Sequence, residues 1–266
     1  MNAFSLLEKV RRDCPVVHHI TNWVTIADCA AIVKAIGGSP VMAHALEEAA
    51  QMTMIASSLV LNIGTLTVAL VESMKRAAIA AREKGIPVVL DVCGAGATEL
   101  RNDKCAELLE TGAIGMIKGN CSEIARVAGK NVVTRGVDAA AVGENMPRVA
   151  AALAVQRSAV VVVTGKEDIV TDGRHTYLVQ NGDSFMAQVV GTGCMAASVI
   201  GAFVAVAPAD MAAAAAAGLV CYEIAAERAA RISQGPASFK NNLLDECYRL
   251  DQAAVEKKQR VHLVAV

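Results

Sequence analysis

The chain has 266 residues, 54% of them apolar, with 25 Lys and Arg against 26 Asp and Glu. That suffices for one large core or two small ones, and balanced charge without a basic stripe interleaved with aromatics argues against a nucleic-acid surface. Eight cysteines without a CxxC pair, in a long chain with no secretory leader expected, point to reduced thiols in the cytosol, with neither disulfides nor structural zinc.

Short β-branched runs alternate with longer helical stretches, the pattern of a mostly parallel sheet wrapped by helices. Strands are predicted at Val16 to His19, Pro40 to Ala43, Leu59 to Ile63, Pro87 to Val92, Ile114 to Lys118 and Ala159 to Thr164. Helical periodicity marks Ala27 to Ile36, Glu47 to Ser57, Thr67 to Lys84, Asn102 to Leu109 and Asn120 to Ala128. Asn120 with Glu123 three residues later has the spacing of a capping box.

Ile169 to Thr171, His175 to Val179 and Ser184 to Val190 are joined by Asp172-Gly173 and Asn181-Gly182. Both dipeptides favour tight hairpin turns with φ > 0, so these segments predict an antiparallel meander at one sheet edge. From Met195 to Lys257 the chain reads as helical, with a break at Gly235-Pro236. Mean hydropathy is +0.42, but the most apolar stretch, Met195 to Ala226, is rich in Ala and interrupted by Pro208, Asp210 and Glu223. Two buried helices account for it better than a membrane span. No linker or repeat divides the chain, and one domain over 1–266 is expected.

In open parallel sheets ligands gather beyond the carboxyl ends of the strands, which gives polar residues there functional weight. Gly191-Thr192-Gly193-Cys194 stands between the apolar run Met186 to Val190 and the helix from Met195. Free N–H groups and the positive end of the helix dipole suit phosphate oxygens, and Cys194 occupies the first helical turn, where a reactive thiol would be placed. A buried cysteine behind a capping glycine turn fits the same four residues.

Asp91 ends a strand ahead of Cys93-Gly94-Ala95-Gly96, which reads as a Mg²⁺ carboxylate beside a phosphate-cradling loop or as a turn residue. Lys118 could neutralise phosphate and Glu123 could hold water on the same metal, although Asn120 and Glu123 also make a plain helix cap. Thr164-Gly165-Lys166 offers a hydroxyl and free backbone, without the upstream glycine or the following Ser/Thr of a Walker A loop. His18-His19 lacks a third ligand at metal spacing and reads as structural. Asn22 and Met42 could supply the polar anchor and a wall of an apolar pocket, with Met42 equally a core residue.

These stretches occur together in one order: His19-Ile20-Thr21-Asn22, Gly38 to Ala43, Leu61 to Leu66, Leu90-Asp91 with Gly94 to Thr98, Lys118-Gly119-Asn120 with Glu123-Ile124, Val163-Thr164-Gly165 and Val190 to Cys194. The series resembles the hydroxyethylthiazole kinase family of the ribokinase-like superfamily over nearly the whole chain. The resemblance implies a three-layer α/β/α fold and ATP- and Mg²⁺-dependent phosphorylation of 4-methyl-5-(2-hydroxyethyl)thiazole in thiamine salvage. It also implies a cytoplasmic homotrimer with the thiazole pocket between subunits. By the same resemblance Lys118 and Thr164 belong to ATP, Met42, Gly191 and Asn22 to the thiazole, and Asp91 and Glu123 to the metal and phosphates.

The chain departs from the common family pattern at Val92-Cys93, Lys118, Trp23, Ala31 and Ala237, and Cys194 stands where the wider superfamily has an aspartate base. Lysine at 118 keeps the charge of the usual arginine without its planar fork. Cys194 is therefore expected to orient the substrate hydroxyl and to act at most as a modest base. Trp23 and Cys194 leave two alternatives open: a kinase of this fold for another heterocyclic alcohol, and a thiazole-binding protein without turnover.

Overall fold

The computed structural model describes residues 2–130 and 145–265. Nine strands form one sheet: β1 (Val16–Ile20), β2 (Ser39–Met42), β3 (Ser58–Asn62), β4 (Val88–Asp91), β5 (Met116–Asn120), β6 (Val160–Thr164), β7 (Asp168–Thr171), β8 (Thr176–Val179) and β9 (Val261–Val264). The helices in chain order are α1 (Ala3–Asp13), α2 (Ile26–Ala35), α3 (Ala49–Ile55), α4 (Val68–Lys84), α5 (Glu99–Glu110) and α6 (Cys121–Val127). They continue with α7 (Met146–Arg157), α8 (Thr192–Val206), α9 (Met211–Ile232), α10 (Pro236–Tyr248) and α11 (Gln252–Lys258).

Strand order is β2-β1-β3-β4-β5-β6-β7-β8-β9, parallel from β2 through β6 and antiparallel from β6 to β9. The parallel strands alternate buried side chains between two cores. Val60, Val89, Met116 and Val162 join α1, α8 and α9 on one face, while Leu59, Leu61, Leu90, Ile117, Val161 and Val163 join α4, α5 and α7 on the other. Burial on both faces is the reason these strands read as continuous apolar runs. The expected three-layer α/β/α architecture with a mostly parallel sheet is the one observed.

Two details correct the expectation for the sheet edge. Ser184 to Val190 is not a strand: Ser184–Gln188 forms a 3₁₀ helix begun by Asp183, whose side chain accepts from the N–H of Phe185. The third strand of the meander is β9, more than 80 residues further along the chain. Asn181 decides between them, since its Nδ2 donates to Glu227 and to the Lys258 carbonyl while its Oδ1 accepts from the N–H of Arg260 at 2.8 Å. These bonds hold β9 at the edge of β8.

The apolar region after Met195 forms α8 and α9, both largely buried between the sheet and outer helices. Pro208 to Ile232 is long and apolar enough to cross a membrane, yet most of it lies inside the fold, as a core helix would. Gly201 lets α8 approach the sheet, because a Cβ there would meet Val60 Cγ2 at 2.5 Å. That approach sets where the α8 N-terminus ends up.

His18 and His19 are fully buried in β1. His18 bonds Thr53 Oγ1 and the Ala43 carbonyl, and His19 bonds the Val17 carbonyl and Ser198 Oγ, so both are structural as expected. Burial lowers the His19 pKa from 6.5 to about 4. Between those values the unfolded chain binds a proton that the folded state refuses. The stability due to neutral His19 is complete above pH 6.5 and is lost as pH falls toward 4, on the order of 3 kcal/mol in all. Urea unfolding at about pH 7.5 and about pH 4.5 is expected to show this fall, and His19→Gln a shallower one.

Candidate active site

Between β1 and β3 the strand order reverses, since β2 lies on one side of β1 and β3 on the other. At such a point two neighbouring loops diverge and open a crevice at the carboxyl ends of the strands. A cleft of about 450 Å³ occupies it, lined by Asn22 after β1, Gly64 after β3, Asp91 and Cys93 at the end of β4, Lys118 on β5 and Thr164 on β6. Asn120, Glu123 and the segment 186–194 complete it. Of the residues singled out in the sequence, Asn22, Asp91, Lys118, Glu123, Thr164, Gly191 and Cys194 meet there. Met42 does not: it ends β2, half-buried, outside the lining of this cleft.

The turn before α8 differs from the expectation in its approach, which is a 3₁₀ helix and not a strand, but it delivers the helix N-terminus to the cleft. Gly191 is the N-cap with φ +96°, and no side chain caps the helix. The N–H groups of Thr192, Gly193 and Cys194 therefore have no partner within α8 and add to its positive dipole end. Thr192 is anchored from behind, its Oγ1 donating to the Met186 carbonyl at 2.8 Å and its own carbonyl accepting from the Tyr222 hydroxyl at 3.0 Å.

Opposite this turn, the buried Lys118 ammonium is 3.3 Å from Asp91 Oδ2. It also lies close beneath the turn, 3.2 Å from where a Cβ on Gly193 would stand. Burial acts to lower the Lys118 pKa, but attraction by Asp91, helped by Cys194 and Glu123, outweighs it and holds the group above its ordinary value. Burial pushes Asp91 up, against the pull of Lys118, Asn62 and the Cys93 N–H. Asp91 Oδ1 is buried without a hydrogen-bond partner.

Glu123 is a helix cap as well as a cleft residue. Its Oε2 accepts from the Asn120 N–H and its Oε1 from the Gly94 N–H, both at 2.7 Å, and the Asn120 side chain completes the capping box. Burial and then the neighbouring Asp91 raise its pKa. Thr164 stands at the end of β6, and the next N–H, that of Gly165, is held by Asp168 Oδ1 at 2.8 Å. Burial raises both the Asp168 carboxyl and that of its neighbour Glu223.

Two residues that sequence reasoning passed over organise the centre. Asn62 Nδ2 donates to Asp91 Oδ2 at 2.9 Å and to Cys194 Sγ at 3.4 Å, while its Oδ1 accepts from Asn22 Nδ2 at 3.0 Å and from the Gly64 N–H at 2.9 Å. Asn22 also donates to Cys194 Sγ at 3.3 Å and accepts from the N–H and hydroxyl of Thr25. The neighbouring Cys93 thiol is the largest cause lowering the Cys194 pKa to about 7; burial and Asp91 oppose it, and Lys118 supports it. Asn62 carried a usable signal, since it ends a strand beside Asp91 in the register of β3 and β4.

The arrangement presents free helix N–H groups, one buried cation, one half-partnered carboxylate and a thiol around a single cleft, a set of groups whose charges suit phosphate oxygens. A family model described as the hydroxyethylthiazole kinase family matches residues 7–253. Hydroxyethylthiazole kinase of Methanosarcina mazei is 50% identical over 96% of this chain and 97% of its own length. That of Methanocella arvoryzae is 48% identical over 98% and 99%. The solved structure of the hydroxyethylthiazole kinase protein from Pyrococcus horikoshii OT3 superposes with a TM-score of 0.90 at 37% identity over 99% of both chains. A ribokinase-like superfamily protein from Enterococcus faecalis shares the fold at a TM-score of 0.64 and 13% identity. With a cleft at the topological switch of a ribokinase-like fold and a match over nearly its full length, this chain is a kinase that belongs to the hydroxyethylthiazole kinase family.

Proposed function

We propose that this chain, as one kinase domain over 1–266, transfers the γ-phosphoryl group of ATP to the hydroxyethyl group of 4-methyl-5-(2-hydroxyethyl)thiazole in cytoplasmic thiamine salvage. The observation that carries this reading is the convergence of the uncapped α8 N-terminus, Lys118 and Asp91 on the Asn22 side of the cleft. Phosphoryl transfer asks mainly for positioning and charge neutralisation. The N–H groups of 192–194 take the phosphate oxygens, Lys118 neutralises their charge, Thr164 contacts ATP, and Asn22 and Gly191 border the thiazole.

Mg²⁺ fits the residues present, because Asp91 Oδ1 is a buried carboxylate oxygen with no hydrogen-bond partner. Asp91 would hold the ion, and Glu123, whose oxygens already accept two N–H groups, would reach it through water. When bound, the ion neutralises charge on the ATP phosphates. Among the described residues no three His, Cys, Asp or Glu side chains form a metal cage, and an ion held largely by phosphate and water requires none.

Cys194 receives hydrogen bonds from Asn22 and Asn62 beside the phosphate turn and is assigned to the substrate hydroxyl. With its pKa at about 7, the thiolate that can accept a proton prevails above that pH and disappears below it. Cys194→Ala is expected to lower kcat by about 100-fold, the low end for general-base assistance, and to remove the acid limb of the pH profile. Full turnover in that variant would take Cys194 out of the mechanism.

The pocket is proposed to close between neighbouring copies in a homotrimer. Trp23, Val24 and Val190 expose 53%, 66% and 73% of their surface at or beside the cleft, and Met42 lies half-buried outside its lining. Light scattering should give about three times the 27.6 kDa chain mass; a monomeric mass with full activity would remove the shared pocket. ADP release with hydroxyethylthiazole, with and without Mg²⁺, tests the whole reading. Trp23 meets His44 edge-on with ring centroids 4.6 Å apart, beside the Met42 segment, so a panel of thiazole and pyrimidine alcohols belongs in the same assay. A pyrimidine alcohol preferred over the thiazole would change the substrate, and tight thiazole binding without ADP would make the chain a binding protein.

A further inference from the structure

Asn62 ends β3 behind the wall of the cleft, 1% exposed and outside the set of residues that line it. Backbone donors decide which way its amide points. The Gly64 N–H can only donate, so the Asn62 atom it meets at 2.9 Å is the oxygen, and Nδ2 faces the other way. The peptide that carries this N–H is itself pinned, because its carbonyl, that of Ile63, accepts from Arg101 Nη1 at 2.7 Å. Asn22 is oriented by the same logic, since the Thr25 N–H at 3.1 Å requires its Oδ1.

With these orientations every donor and acceptor on the two amides is in use. The Asn62 oxygen takes the Gly64 N–H and Asn22 Nδ2, and its two amide hydrogens go to Asp91 Oδ2 at 2.9 Å and Cys194 Sγ at 3.4 Å. Asn22 Oδ1 takes the N–H and hydroxyl of Thr25, and its hydrogens go to Asn62 and to Cys194 Sγ. A side-chain amide has two hydrogens and two acceptor lone pairs, so neither asparagine has a hydrogen bond left for a ligand. The free capacity lies on the groups they hold. Asn62 and Lys118 both bond Asp91 Oδ2, which leaves Oδ1 without a partner, and Cys194, held by both amides, lines the cleft.

We propose that Asn62 is a positioning residue for phosphoryl transfer, which holds the Asp91 carboxylate and the Cys194 thiol in one register without touching either substrate. A single amide group spans the end of β4 and the first turn of α8, so the two groups keep their separation as the cleft fills. Loss of this crosspiece releases both at once, and a misplacement of about 1 Å at reacting groups costs about 100-fold in rate. This role rests on the transfer reaction proposed above.

Asn62→Leu, similar in size without polar atoms, and Asn62→Ser, which keeps the buried position polar, are assayed by ADP release with ATP, Mg²⁺ and hydroxyethylthiazole. Both are expected to lower kcat by about 100-fold. KM for ATP and for the thiazole should stay within about twofold of wild type, because no bond to a substrate is removed. In the Cys194→Ala background Asn62→Leu should cost only about tenfold, since one of the two groups it positions is already gone. An unchanged kcat, a KM raised about tenfold with kcat intact, or an undiminished cost in the Cys194→Ala background would overturn the assignment. Crystals of wild type with ADP and hydroxyethylthiazole decide the question even if neither variant folds. Asn62 Nδ2 is expected on Asp91 and Cys194 there as well, and a hydrogen bond from Asn62 to either ligand would overturn the role. Wild type that turns over neither the thiazole nor another alcohol overturns the transfer reaction itself, a result distinct from an active wild type matched by its Asn62 variants.

Discussion

Lys118→Met is expected to destabilise the fold by about 3–5 kcal/mol, the usual cost of removing one partner from a buried ion pair, and to lower kcat/KM for ATP by about 10²–10³-fold. Lys118 and Asp91 are 4% and 1% exposed, so the carboxylate left behind would have Asn62 and the Cys93 N–H but no counter-charge. Adding Asp91→Asn to Lys118→Met removes the orphaned charge. The double variant should regain most of the stability and none of the activity, because the phosphate still lacks its cation and the metal now lacks the Asp91 carboxylate as well. Urea unfolding and ADP release on wild type, Lys118→Met, Asp91→Asn and the double variant separate the two effects. If activity returned together with stability, Lys118 would be a structural partner of Asp91 and not a phosphate ligand.

Gly191→Ala should reduce turnover to roughly 1% or less, since two separate constraints act on one position. The residue has φ +96°, where a side chain is strained by roughly 1–2 kcal/mol. A Cβ there would also meet Thr25 Cγ2 at 2.5 Å. Thr25 holds Asn22, and Asn22 holds Cys194, so relief of the clash moves either the phosphate turn or the substrate side of the cleft. Thr25→Ser removes the clashing methyl while keeping the hydroxyl. In the Gly191→Ala background it is expected to recover part of the turnover, and the remainder measures the backbone strain. A Gly191→Ala protein with normal kcat and normal ATP affinity would remove the 191–194 turn from the phosphate site.

Much of the site was legible locally. Lys118 with Asn120 and Glu123 showed a strand end and a capping box, and Glu123 is the cap in the structure while it also lines the cleft. The Gly191 turn announced a helix N-terminus, although its approach proved to be 3₁₀ helix and not strand. The relation of Asn62 and Cys93 to Cys194 was not legible in this way. These three residues stand on separate elements, and packing of α8 against the sheet, admitted by Gly201, brings Asn62 within hydrogen-bond reach of Cys194.

From sequence alone came whatever depends on near neighbours: strand periodicity, the turn at Asp172-Gly173, the helix starts and, through ordered motifs, the family; the hairpin expected at Asn181-Gly182 did not form. Tertiary structure decided the choice of β9 over Ser184 to Val190 as the last strand, the two-asparagine cradle around Cys194, and the place of Met42 outside the cleft. The physical reason is range. Backbone propensity and capping act over a few residues, whereas which edge is filled and which side chains meet follow from packing between elements far apart in the chain, where a single buried Asn181 or Gly201 selects among locally equivalent outcomes.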